Sequence, residues 1–145
     1  MYMRIIEIQK QLVEEFDALD SWEDKYSKII KFGKELTPLA DELKIEKNKI
    51  EGCQSQIWVH ARIDDGKMYV EADSDAMIVK GLVALLIKVY SGHEPDEILS
   101  SPPDFLQKIG IDSHLSPTRK NGLGAMLKQI QLFAVTFKAL AVVQK

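Results

Sequence analysis

Ile57-Trp58-Val59-His60-Ala61-Arg62-Ile63-Asp64-Asp65-Gly66-Lys67-Met68-Tyr69-Val70-Glu71-Ala72 is the stretch on which the fold turns. Ile57, Val59, Ala61 and Ile63 alternate with Trp58, His60 and Arg62. This period of two marks a strand with one face on a core. Asp65-Gly66 is a two-residue hairpin signal, because both positions must accept positive φ. Lys67 to Ala72 then reads as the returning strand. Asn48 to Gly52 is placed to add a third, short strand.

Outward from the hairpin the apolar period is helical. Ile5, Ile8, Leu12, Val13, Phe16 and Leu19 recur at spacings of mainly three and four, forming one stripe. Ser21 can cap a second helix through Trp22, Tyr26, Ile29, Ile30 and Phe32, ending near Leu36 before Pro38, and an antiparallel helix pair is expected. After the hairpin, Ser74 or Asp75 is a candidate N-cap for a helix through Ile78, Val79, Leu82, Leu85, Leu86, Val89 and Tyr90, with Gly92 at its end. Its apolar residues cover more than one face, as in a buried central element. A short helix over Pro103 to Ile109 stops at Gly110, and a long one runs from about Gly122 to Val142. Helices, then strands, then helices predict an α+β fold: a small antiparallel sheet of two or three strands covered by helices, in a single domain over residues 1–145.

Composition narrows the function classes. With 46% hydrophobic and 28% charged residues and a net charge of −3, the chain is ordinary for a globular protein and ill suited to a polyanion, so nucleic acid is not an expected partner. The longest apolar run, Leu82 to Ile87, is far too short for a membrane span, and the N-terminus lacks the apolar core and cleavage site of a secretory signal. One unpaired cysteine suits a reducing compartment, so the expected location is the cytoplasm.

That cysteine, Cys53, sits in Glu51-Gly52-Cys53-Gln54-Ser55-Gln56-Ile57-Trp58, between a glycine and small or amide side chains. A lone thiol excludes a disulfide framework and a cysteine-only metal site, but suffices for accepting one sulfur atom and passing it on. Extending strand parity backwards puts Cys53 on the face of Val59 and Ala61, so the thiol is expected to rest sheltered, while Gly52 lets the segment turn it outward. The competing reading is structural, since free cysteine commonly packs as a small buried hydrophobe.

The same stretch resembles the signature of the SufE family, sulfur acceptors that work with cysteine desulfurases in iron-sulfur cluster assembly. Asp73-Ser74-Asp75-Ala76-Met77-Ile78-Val79-Lys80-Gly81-Leu82 is similar to the family's segment after the hairpin. His114-Leu115-Ser116-Pro117-Thr118-Arg119, with Asn121-Gly122-Leu123, is similar to the one opening its final helix. The resemblance implies the fold shared with the NifU-like and IscU-type cluster scaffolds. It also implies that Cys53 carries a persulfide received from a SufS- or CsdA-like desulfurase and delivers sulfur to a SufB-like scaffold. Such a protein is a sulfurtransferase-like carrier and activator rather than a stand-alone enzyme. It needs no cofactor of its own, because the pyridoxal phosphate belongs to the desulfurase. Asp75 and Arg119 are the expected partner-binding residues: Asp75, at a helix N-terminus that favours a carboxylate, is placed to hold the resting loop, and the resemblance implies that Arg119 meets an acidic desulfurase surface. The alternatives are capping for Asp75 and a solvated charge for Arg119.

Three histidines, His60, His93 and His114, leave a cysteine-histidine hydrolase pair open as a lesser reading. They show none of the paired spacing of a zinc site. A regulatory module that stimulates a desulfurase without holding sulfur also remains open. Neither the branch of the family (SufE or CsdE) nor the choice between monomer and homodimer is legible in these residues.

Overall fold

The computed structural model describes residues 3–50 and 55–143. Eight regular elements occur there besides short 3-10 turns: α1 (Ile5–Asp17), α2 (Trp22–Glu35), β1 (Ile57–Asp64), β2 (Lys67–Ser74), α3 (Met77–Tyr90), α4 (Pro95–Leu99), α5 (Asp104–Ile109) and α6 (Pro117–Val143). β1 and β2 pair antiparallel from Ile57 with Ser74 to Asp64 with Lys67. The turn between them is Asp65-Gly66, with φ of 51° and 78°, the conformation the dipeptide predicts. The α+β class holds, with a two-stranded sheet among the described residues. In place of a third strand there is a single bridge between Lys49 and Trp58, and the Ile50 N–H donates to the Ile57 carbonyl at 2.9 Å.

α3 is the hub. Val79, Leu82, Val83, Leu85, Leu86 and Val89 are all buried; α2 packs on one side of it, and the hairpin and α6 on others. Burial on several faces explains its near-continuous apolar sequence. The expected pairing of α1 with α2 is minor: α1 packs mainly on α5 and α2 mainly on α3, with a stacked Phe16–Phe32 contact at 6.5 Å joining the two helices. The reason lies in glycine. A Cβ on Gly81 would fall 2.2 Å from the Ile29 carbonyl oxygen, and one on Gly33 would fall 2.9 Å from the Gly81 nitrogen. Two bare backbone positions let α2 approach α3 more closely than side chains allow.

The outer edge of β2 is covered by the chain leaving α3. The Met68 N–H donates to the His93 carbonyl (2.8 Å) and the Gly92 N–H to the Met68 carbonyl (2.7 Å). The Val70 N–H donates to Ser91 Oγ (2.9 Å). Gly92, at φ 85°, makes this return possible, and the covered edge is closed to intermolecular pairing.

At the end of β2, Asp73 is buried at 4% exposure. Its carboxylate accepts the Ser74 N–H (2.8 Å) and the Leu39 N–H (3.4 Å), and lies 3.3 Å from Lys80 Nζ and 3.5 Å from Lys44 Nζ. One side chain thus ties the 36–45 connection to β2 and α3. Burial alone pushes the Asp73 carboxyl up, but the hydrogen bonds from Ser74, Lys80 and Leu39 and the Lys80 charge outweigh it, so the net shift is downward from 3.8.

Two outcomes follow from this packing. Gly81→Ala forces α2 and α3 apart and is expected to cost about 3 kcal/mol, lowering the melting temperature by about 10 °C in a calorimetric scan; an unchanged melt would show that the helices yield freely. Asp73→Asn is expected to cost on the order of 2 kcal/mol at neutral pH. A lowered folded-state pKa gives stability that is fully present above the unfolded value of 3.8 and lost as pH falls through the folded value. The gap between variant and wild type in urea melts should therefore hold at neutral pH and close in acid. A gap independent of pH would assign the loss to packing instead.

Candidate functional site

Cys53, with residues 51–54, lies outside the described residues. The chain is anchored on both sides of that segment. Before it stands the Ile50-to-Ile57 backbone hydrogen bond. After it, the Gln56 N–H donates to Asp75 Oδ1 at 2.9 Å, and the Asp75 N–H returns a bond to the Gln56 carbonyl at 3.3 Å. Asp75 thus extends the hairpin by one pair beyond Ile57 and Ser74, with a charge-assisted hydrogen bond at its end.

Neither Ser74 nor Asp75 caps α3 as the sequence suggested. The N-cap is Ala76, which makes no side-chain capping bond; Ser74 Oγ accepts the Ala76 N–H (3.3 Å). Ser74 is engaged with Ala76 and Asp75 with Gln56, so α3 begins one or two residues later than their capping would require.

Arg119 occupies the first turn of α6, which starts at Pro117 rather than near Gly122. The Ser116 hydroxyl accepts the Arg119 N–H (3.3 Å), and Pro117 needs no partner at the first helical position. The Arg119 side chain is exposed and forms no ion pair among the described residues. It borders a small cavity of about 20 Å³, shared by Ser55 and Ile57 at the start of β1, Leu82 and Val83 of α3, and Met126 of α6. The walls are mostly apolar, and the space is about that of one water molecule. Asp75 and Arg119, distant in sequence, thus both meet the stretch that follows Cys53: Asp75 through Gln56, Arg119 through the cavity it shares with Ser55.

The three histidines are engaged elsewhere or isolated. His93 is buried, with Nε2 2.7 Å from the Met3 carbonyl oxygen. His114 stacks on Trp22 with ring centroids 3.7 Å apart, and the Tyr26 hydroxyl donates to its carbonyl (2.7 Å). His60 Nδ1 is buried without a hydrogen-bond partner. Among the described residues, no cluster of three or more histidine, cysteine or carboxylate side chains could hold a metal. Nor is any described helix long and apolar enough to cross a membrane. The ion-pair group around buried Asp73 is not legible in the sequence, since Lys44 and Lys80 carry no local mark of it.

Comparison with known proteins places these motifs. The family model for SufE, described as an Fe-S metabolism associated domain, matches residues 10–134. An uncharacterized SufE-like protein of Synechocystis is 40% identical over 128 residues, covering 88% of this chain and 80% of the relative. A SufE-like protein of Rhizobium etli is 42% identical, covering 83% and 85%. The chloroplastic/mitochondrial SufE-like protein 1 of Arabidopsis thaliana is 45% identical over 84% of this chain, which spans 33% of that longer protein. The solution structure of a hypothetical protein from Thermus thermophilus superposes with a TM-score of 0.75 at 27% identity, covering 92% of this chain and 96% of that one. With a match over most of its length and the hairpin, central helix and final helix in the expected order, the chain belongs to the SufE family of iron-sulfur metabolism.

Proposed function

We propose that this protein is a sulfur carrier: Cys53 takes the outer sulfur of a persulfide on a cysteine desulfurase, holds it as its own persulfide, and passes it to an iron-sulfur scaffold. The Cys53 thiolate attacks the sulfane sulfur. A new S–S bond forms, the donor's S–S bond breaks, and the donor cysteine leaves as thiolate, so no external oxidant or reductant enters. Removing the product sulfur from the desulfurase also stimulates it.

The observation that carries this reading is the cavity beside Ser55, apolar and with room for a single atom of about water size. A persulfide is readily lost to oxidants and stray thiols, so a carrier benefits from an apolar recess, and this one is lined by Ser55, two residues after Cys53. Arg119 borders that cavity, and its exposed guanidinium is available to an acidic docking surface. Asp75 limits how far the segment opens, because its hold on Gln56 fixes the chain three residues after Cys53.

Incubation with a desulfurase and free cysteine, followed by intact-protein mass spectrometry, should reveal one reducible sulfur mapped to Cys53. Cys53→Ser should lose both sulfur uptake and desulfurase stimulation; stimulation that survives in this variant would favour the regulatory module over the carrier. Asp75→Ala, by removing a charge-assisted hydrogen bond, should speed labelling of Cys53 by an exogenous aromatic disulfide about fivefold. An unchanged labelling rate would remove Asp75 from the loop-holding role.

A further inference from the structure

A second depression flanks the cysteine-bearing segment on the N-terminal side. It is a groove of about 450 Å³ between the 3-10 turn Glu46–Asn48 and one face of α6, lined by Lys47, Lys49 and Ile50 on one wall and Lys128, Gln129 and Leu132 on the other. Ile50 lines this groove and Ser55 the small cavity, so the two depressions meet the chain on either side of residues 51–54.

The groove's charge is one-sided. Its one described carboxylate, Glu46, is engaged by Lys49 at 3.0 Å. Lys47 and Lys128 form no ion pair among the described residues. Leu132 in the same groove is 54% exposed, an apolar side chain left uncovered beside unpaired cations. Three lysines beside the apolar side chains of Ile50 and Leu132, in a protein of net charge −3, make a local exception to the overall charge. Complementarity therefore selects an acidic partner with an apolar anchor. Nucleic acid fits less well, because three lysines release few counterions and the surrounding net charge repels a polyanion.

We infer that this groove docks an acidic segment of the sulfur-donating protein, with carboxylates at Lys47 and Lys128 and an apolar side chain against Leu132 and Ile50. The inference rests on the carrier reading and adds to it a surface separate from Asp75 and Arg119. Docking here holds the donor against Ile50, next in sequence to the cysteine-bearing segment. The groove therefore governs the encounter rather than the transfer.

The test compares wild type, Lys47→Glu/Lys128→Glu, Lys47→Gln/Lys128→Gln and Leu132→Ser, each checked for an unchanged melt, in sulfur loading from a purified cysteine desulfurase at several salt concentrations. The charge-reversed protein is expected to need about tenfold more carrier for half-maximal loading and to show a flatter salt dependence. The glutamine pair should fall between it and wild type, and Leu132→Ser should weaken docking at every salt concentration. Loading at saturating carrier, and loading of Cys53 by a small-molecule persulfide, should match wild type. If wild type loads and the charge-reversed protein loads with the same half-saturation and salt slope, the groove is overturned while the carrier stands. If the variants lose loading by the small-molecule persulfide as well, the groove acts on Cys53 itself and the docking role is overturned. If wild type takes no sulfur from the desulfurase, the carrier reading falls and the groove's role with it. If the substitutions change affinity for a single-stranded oligonucleotide and leave desulfurase loading unaltered, the acidic protein partner is wrong.

Discussion

Two backbones in near contact set the arrangement of this molecule. Where Gly81 of α3 meets Ile29 of α2, the space that a methyl group would need is already filled by a carbonyl. Close approach brings α3 inward until nearly its whole surface is covered, with α2 on one flank and the hairpin and α6 on others. An element buried on several faces excludes water along its length, which is where most of the stabilisation from apolar burial arises. The site depends on the same contact, because the cavity near Ser55 is formed by Leu82 and Val83, one and two residues beyond Gly81, with Met126 of α6.

At the top of α3 three consecutive polar residues serve three different bonds. Asp73 turns inward to Lys44, Lys80 and two backbone amides. Ser74 closes a local turn onto Ala76. Asp75 reaches across to Gln56. A short run of hydrogen-bonding side chains can do this because the backbone changes there from strand to helix, leaving amides that neither structure satisfies. Asp73 is the structural member, buried and held below its ordinary pKa. Asp75 lies nearer solvent and holds a segment rather than a core.

Much of this was legible in the residues, for identifiable reasons. The hairpin register followed from Asp65-Gly66, since only a narrow set of turns joins strands through two residues. The core face was right at Ile57 and Val59 but not at Ile63, which is 44% exposed, because β1 runs past the helices that cover its start. α4 escaped notice because Pro95 to Leu99 is too short to display a period. The start of α6 was set too late: a Ser-Pro pair opens the helix at Pro117, and Gly122 and Gly124 inside it look like breakers while costing only propensity. The meeting of Asp75 and Arg119 at one short stretch, Ser55 and Gln56, is not legible from spacing at all, since it depends on how α3 and α6 pack against β1.

Charge along the chain is sorted as well as apolarity. α6 carries Arg119, Lys120, Lys128 and Lys138 and no carboxylate, whereas α1 carries Glu7, Glu14, Glu15 and Asp17 against Lys10. Near-cancelling totals conceal two local fields of opposite sign, and a partner approaching within a Debye length feels the field of the nearer element, not the sum. Both depressions that border the cysteine-bearing segment are lined on one side by α6. On the proposed docking, an acidic partner surface is drawn toward that segment by Arg119, Lys120 and Lys128, since Lys138 is paired with Asp96, while α1 repels it. This orientation is obtained before any contact forms, which matters for a small protein whose proposed work consists of repeated brief encounters: specificity gained in the approach leaves the docked complex free to separate once the sulfur has moved.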